Sequence, residues 1–220
     1  MKQVALGFRV HTGWAALVAV EAPVRLDNPI IVDRKRVEMI ESGKPEAPSF
    51  VYHAASKLPL KSAERLVQEC TALAQSRAKD SLTAVVGELR DRGYEVFASG
   101  VIGANRPLAS SLETILGTHS LIHAAEGELF RAAIIKANEV LKVPVTSVAA
   151  GELYARVATT LGSSADEIRR RLTEGRRSVG KPWAQDQKES LLVALLAAAA
   201  GVRAALRISE VAPTQGPRRS

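Results

Sequence analysis

The chain is short of most residues on which a ready functional assignment rests. It holds one cysteine, Cys70, among 220 residues, which excludes a disulfide framework within one chain and a cysteine-based zinc site. That thiol falls in a strongly helical segment and is expected to be buried. Aromatic residues make up 4% of the chain, with Trp14 and Trp183 its only tryptophans, so platforms for stacking a base or a sugar are few. No apolar run approaches the roughly 20 residues of a membrane span. The longest candidate, Leu191 to Gly201, is alanine-rich and too short. The amino terminus enters an alternating apolar segment, Val4 to Val20, without the charged, apolar and small-residue sections of a signal peptide, and a cytoplasmic protein with no membrane partner is expected. Glycine-rich phosphate loops, GxSxG elbows and HExxH pairs are absent too, which removes the familiar signatures of nucleotide binding and hydrolysis.

What the chain does have is positive charge. Its net charge is +7 and its pI is near 9.8, a balance that suits a polyanionic partner, because each cation placed at a phosphate releases counterions. The placement of that charge divides the reading. Arg169, Arg170, Arg171, Arg176 and Arg177 crowd one helical stretch and its exit, where they make either a solvated helix face or a contact for nucleic acid or an acidic protein. Arg218 and Arg219 sit in a tail with Pro213, Gly216 and Pro217, and residues 209–220 read as a disordered basic tail on a single domain spanning 1–208.

Alternation from Val4 to Phe8, a break at His11, Thr12 and Gly13, and an apolar run from Gly13 to Val20 predict a hairpin. Ile30 to Met39 predicts a third strand, with a bulge or turn where Asp33, Arg34, Lys35 and Arg36 interrupt alternation. Ser42 to Pro59 is a connection holding one helical turn near Val51 to Ala55. Leu60 to Arg92 then has helical apolar spacing and ends at Gly93, before a strand over Tyr94 to Ile102. Pro107 opens a second long helix, Leu108 to Leu141, interrupted near Gly117. A strand over Pro144 to Ala149 follows, then helices over Gly151 to Leu161 and Ala165 to Glu174, the latter capped by Ser163 or Ser164. A loop from Gly175 to Trp183 leads to a final helix from Gln185 to Leu206, rich in alanine and suited to close packing on a sheet.

This element order, together with the stretch Gly7 to Leu17 (GFRVHTGWAAL), the segment Leu112 to Ala133, the exit Val143 to Val145 and the acids on the alanine-rich helix from Asp186 to Ala200, resembles the RuvC-type Holliday junction resolvases of the ribonuclease H-like superfamily. The resemblance implies an α/β fold with a five-stranded mixed sheet, antiparallel hairpin strands first and parallel strands after, flanked by helices. It also implies a nucleic-acid partner, a homodimer, and a nuclease in which carboxylates hold two divalent ions. The chain departs from that pattern. The first-strand acid position falls on Phe8 or Arg9, and the fourth strand, Val96 to Ile102, has no carboxylate, although Glu95 stands at its start. Asp186 and Glu189 remain, three residues apart on one helical face.

Three expectations follow. The first is a catalytically degenerate binding or scaffolding module, with nucleic acid as its ligand. Its candidate contacts are Arg9, His11 and Thr12 in the hairpin, where backbone N–H groups could meet an anion, His123 on the second long helix, and Trp183 and Lys188 at the start of the last. The second is a metal-dependent nuclease or other phosphoester hydrolase with a rebuilt site of Glu126, Asp186 and Glu189. Magnesium or manganese enters only there; otherwise no cofactor is expected and no residue is assigned as a metal ligand. The third is a homodimeric interaction module pairing through the small side chains of Leu191 to Ala205. Each candidate has a plainer explanation beside it. His123 with Glu126 and Glu128 with Arg131 have the spacing of helix-surface pairs. Asp186 suits a helix first turn for its charge alone. Tryptophans are usually core residues, and His53 and His119, isolated in the sequence, read as structural.

Overall fold

The computed structural model describes residues 1–24, 26, 28–40, 48–103, 108, 110–174 and 180–211, with side chains as far as Val202. Strands β1 (Lys2–His11) and β2 (Trp14–Glu21) form an antiparallel hairpin in which His11 pairs with Trp14. Gly13 in the turn has φ +84, a left-handed conformation that a side chain would strain. Strand β3 (Ile31–Glu38) lies antiparallel to β2. The charged run Asp33 to Arg36 stays in register, and the irregularity falls one residue earlier, where Ala19 faces Asp33, Val20 faces Ile31 and Val32 is the extra residue.

Helix α1 (Val51–Ala55) is a single turn that leads into α2 (Leu60–Asp91). From Cys70 on, the buried residues of α2, Cys70, Ala74, Ala78, Leu82, Val85 and Leu89, recur every three or four positions, so one stripe faces the sheet along the helix. Gly93, at φ +84, turns the chain out of it. Strand β4 (Tyr94–Gly103) then enters parallel to β1. The second long helical stretch is two helices, α3 (Leu112–Leu116) and α4 (His119–Val140), separated at Gly117. Ser111 begins α3 by accepting a hydrogen bond from Thr114 N at 3.2 Å. Pro107, expected to open this region, lies outside the described residues.

Strand β5 (Val145–Ala149) lies parallel to β4 and completes the order β3-β2-β1-β4-β5. A 3₁₀ turn (Ala150–Glu152) leads to α5 (Leu153–Leu161), α6 (Ala165–Glu174) and α7 (Gln185–Val211). Ser164 caps α6, its Oγ accepting from Glu167 N at 3.1 Å. The last helix extends beyond the Leu206 expected from sequence.

Because β1 is central, its side chains feed two cores. Val4, Leu6, Phe8 and Val10 pack with α2 and α4. Ala5 joins the core of α5, α6 and α7. Gly7 and Gly100 face α7, and a Cβ on them would fall 1.9 Å from Ser190 O and 2.3 Å from Val193 O. The helix backbone therefore rests directly on the strands. Leu191 to Ala198 are buried between the sheet and the core residues of α5 and α6, so this part of the alanine-rich helix is taken up within its own chain and offers no face to a second copy. No helix among the described residues is long and apolar enough to cross a membrane.

Candidate functional site

The alternation that buries Phe8 turns Arg9 and His11 toward the first turns of α7. Arg9 Nε lies 2.9 Å from Glu189 Oε2, and Glu189 Oε1 accepts from Gln185 Nε2 at 2.7 Å. His11 Nε2 lies 2.8 Å from Asp186 Oδ1, and since a carboxylate oxygen only accepts, the imidazole donates. Between these pairs the buried Ser190 hydroxyl accepts from Arg9 N and donates to Ala16 O, both at 3.0 Å. It ties α7 to both strands of the hairpin. Trp14 stacks on His11 with centroids 4.4 Å apart and rings inclined by 13°. Arg36 lies 3.8 Å over the indole, a cation on the ring's negative face. Arg34 donates to Gly180 O at 3.2 Å and Pro182 O at 2.6 Å, holding the approach to α7. A cavity of about 240 Å³ opens beside this group, lined by Trp14, Ala16, Arg34, Arg36, Pro182 and Gln187.

Of the two first-strand positions, Phe8 is fully buried in the opposite core and Arg9 faces the cleft. The cleft-facing positions of β4 at this end are Gly100 and Ile102. Glu95 pairs with Gln3, six residues along β1 from Arg9 and so about 20 Å away. Among the described residues, Asp186 and Glu189 are the carboxylates bonded to the cleft-facing side chains of β1. Each is partly exposed and each has a basic partner. Pairs in that setting are weak, about 1 kcal/mol or less.

The other candidates divide. Thr12 is half-buried in the hairpin turn and Lys188 half-buried on α7. Trp183 is buried, and its indole N–H donates to Leu172 O at 2.8 Å. It is a core residue pinned to α6 and presents no stacking face to a ligand. Arg169 pairs with Asp166, Arg170 with Glu167 and Glu174, and Arg171 with Glu167, so this part of the basic run is a self-paired helix face. Hydrogen bonds from Arg171 and Arg170 hold the Glu167 carboxyl below its ordinary range. Arg176, Arg177, Arg218 and Arg219 lie outside the described residues.

Glu126 lies on α4, across the sheet from Asp186 and Glu189, so the three acids do not meet in one cleft. Nor is Glu126 a surface partner of His123. It is 2% exposed; Oε2 accepts from Val51 N at 3.0 Å, and Oε1 accepts from Tyr52 N at 2.8 Å and His53 N at 3.1 Å. It caps α1 from below, supplying acceptors that the one-turn helix lacks. Burial pushes the Tyr52 phenol above its usual range, helped by the charges of Glu126 and Glu128. Burial likewise pushes the Cys70 thiol up, with Glu69 and Glu126 adding to it. His123, His119 and His53, which stand apart in the sequence, are neighbours here, with ring centroids 4.6 to 5.9 Å apart. Glu128 and Arg131 form the expected surface pair, at 2.9 Å. Arg34, Arg36 and Ser190 carry no signal in the sequence, since each acts through a partner that only the fold brings near.

No protein-family model and no curated protein matches the chain. Solved structures do. The chain is similar to Thermus thermophilus RuvC in complex with a Holliday junction substrate, at a TM-score of 0.52 and 13% identity, over 92% of this chain and 96% of that one. A second T. thermophilus RuvC structure gives a TM-score of 0.51 and 14% identity over 91% and 96%. At such identities the likeness is one of fold. The five-stranded mixed sheet flanked by helices is the ribonuclease H-like fold of RuvC.

Proposed function

We propose that the chain is a catalytically degenerate RuvC-like module that binds the phosphate backbone of nucleic acid without cutting it. The observation that carries this reading is the Arg9 guanidinium at the end of β1, bonded to Glu189 at 2.9 Å. A two-metal phosphodiesterase needs carboxylates converging from more than one element. The acids paired here come from α7 alone, and a fixed cation stands between them and the strand. That donor set does not suit a pair of divalent ions. It does suit an anion: Arg9, His11, Arg34 and Arg36 lie about the cleft, and a phosphate oxygen can replace Glu189 as the partner of Arg9. Trp14 stacks on His11 and carries Arg36 over its ring, which holds both side chains beside the cleft. A RuvC of the same fold is seen with a Holliday junction substrate, and the net charge of +7 agrees with a polyanionic ligand. The cytoplasm is the compartment that this reading implies.

Fluorescence anisotropy with branched, duplex and single-stranded DNA over a range of salt tests it. Affinity is expected to fall steeply with salt, and Arg9→Ala to reduce the slope of log K against log salt by about 1. Absence of any salt-sensitive affinity would sink the nucleic-acid reading. The second reading, a metal-dependent phosphoester hydrolase, draws on the placement of Asp186 and Glu189 on one face of a helix start, both partly exposed. Manganese bound between them in anomalous diffraction, with magnesium-dependent cleavage of DNA, would favour it over the degenerate one. Glu126 has no part in such a site. Homodimerisation, if sedimentation finds it, must use a surface other than Leu191 to Ala198.

A further inference from the structure

His53, His119 and His123 gather on the α4 side of the sheet, where neither the cleft nor the core makes use of them. His119 and His123 stand on successive turns of α4, both exposed, and His53 reaches them from α1. One ring nitrogen from each lies within 4.8 Å of the other two. Nε2 of His119 is 3.1 Å from Nε2 of His123. Two imidazoles bound to one tetrahedral ion at about 2.0–2.1 Å hold their nitrogens about 3.3 Å apart. The pair is therefore already spaced to chelate, and His53 has a side-chain adjustment to make.

The orientation of His53 is set from behind. Its Nδ1 lies 3.2 Å from Glu126 Oε1 and donates to it, which leaves the lone pair on Nε2. A carboxylate on the far nitrogen is how proteins fix the tautomer of a ligating histidine and raise its basicity. Glu126 is engaged behind His53 instead, its oxygens accepting from the backbone N–H groups of Val51, Tyr52 and His53. We propose that His53, His119 and His123 form a three-histidine site for a divalent ion of the zinc class, with Glu126 as the buried group that orients one ligand. Imidazole donors select zinc, copper or nickel over magnesium and manganese, which prefer oxygen. The exposure of His119 and His123 leaves the fourth position to water or an oxyanion. The ion joins α1 to α4, and because it binds the folded chain, it stabilises that junction. The site shares no residue with the anion cleft, so the two proposals stand or fall separately.

Calorimetric titration of the untagged, chelator-stripped chain with zinc tests the site. Uptake of one ion per chain is expected, with affinity lowered at least about tenfold in His119→Ala and in His123→Ala, exposed positions whose truncation leaves the core intact. Cobalt in place of zinc should give the intense visible bands of a four-coordinate ion, lost in the same variants. Glu126→Gln, verified as folded by circular dichroism, should weaken zinc about 10–100-fold. Failure to take up a stoichiometric ion would overturn the proposal. So would uptake unchanged in His119→Ala and His123→Ala, or uptake lost in Asp186→Asn instead.

Discussion

Asp186 and Glu126 each meet a histidine, at 2.8 and 3.2 Å, one on each face of the sheet. Asp186 keeps 29% of its side chain exposed and Glu126 only 3%, and the difference follows from what else each carboxylate touches. Glu126 serves three backbone N–H groups besides the imidazole, so its charge is distributed over donors that have no other partner. Asp186 sits in the first turn of a helix, where the dipole and one imidazole suffice. The buried pair is part of the framework and, in the proposed metal site, orients a ligand; the exposed pair, in the proposed anion cleft, can be given up to one. A histidine beside an acid thus does not define a role until the acid's remaining bonds are counted.

Glu126→Ala should break this contrast most severely, costing about 3–5 kcal/mol in urea unfolding, because it leaves buried N–H groups of α1 unpaired. Asp186→Ala should cost about 1 kcal/mol or less. Equal costs for the two would dissolve the comparison. Gly7→Ala probes the tighter face: a methyl 1.9 Å from Ser190 O forces α7 off the strands, at about 1–3 kcal/mol or more. Gly87→Ala on α2, with nothing within 4 Å of the added carbon, should instead stabilise by about 0.5–1 kcal/mol.

Smaller effects sharpen the same picture. Glu189→Gln frees Arg9 from a charged partner and should tighten polyanion binding about two- to tenfold at low salt, with little change in unfolding. The buried Cys70 thiol and Tyr52 phenol have folded-state pKa values raised above their unfolded ones. The native state therefore holds protons that the unfolded chain releases, and stability is lost as pH rises above about 8.5, the ordinary thiol value. Cys70→Ala should flatten the first part of that alkaline decline in pH-dependent denaturation.

Much of the framework was legible because it depends on short-range periodicity. The hairpin break at Thr12 and Gly13, the stripe from Cys70 to Leu89 on α2, the single turn at Val51 to Ala55 and the interruption at Gly117 all record local geometry. The site was legible only in part. His123 and Glu126 have the same spacing whether they face water or a neighbouring helix, and the choice depends on α1, some 70 residues upstream. The three histidines come from two elements that the sequence places far apart. Arg9 and Glu189 are separated by most of the chain, so a base on a strand and an acid on a helix gave no sign of their bond. Trp183 follows a proline and precedes a helix, a position equally suited to a ligand face and to the core; its hydrogen bond to Leu172 O decides for the core.

Asp186, Glu189 and Ser190 fall at one, four and five residues into α7, on adjacent turns of one side, and each grips a different point of the hairpin. Together they fix the phase of a helix 27 residues long. Slipping α7 by one residue would rotate it by about 100°, releasing all three grips at once and driving side chains into the space that Gly7 and Gly100 leave open. The charged end of the helix therefore works as an index mark for its alanine-rich body. A ligand that loosened both carboxylates would leave the Ser190 hydroxyl as the one polar grip of the three, beside the close packing at Gly7 and Gly100, to keep the helix in step with the sheet.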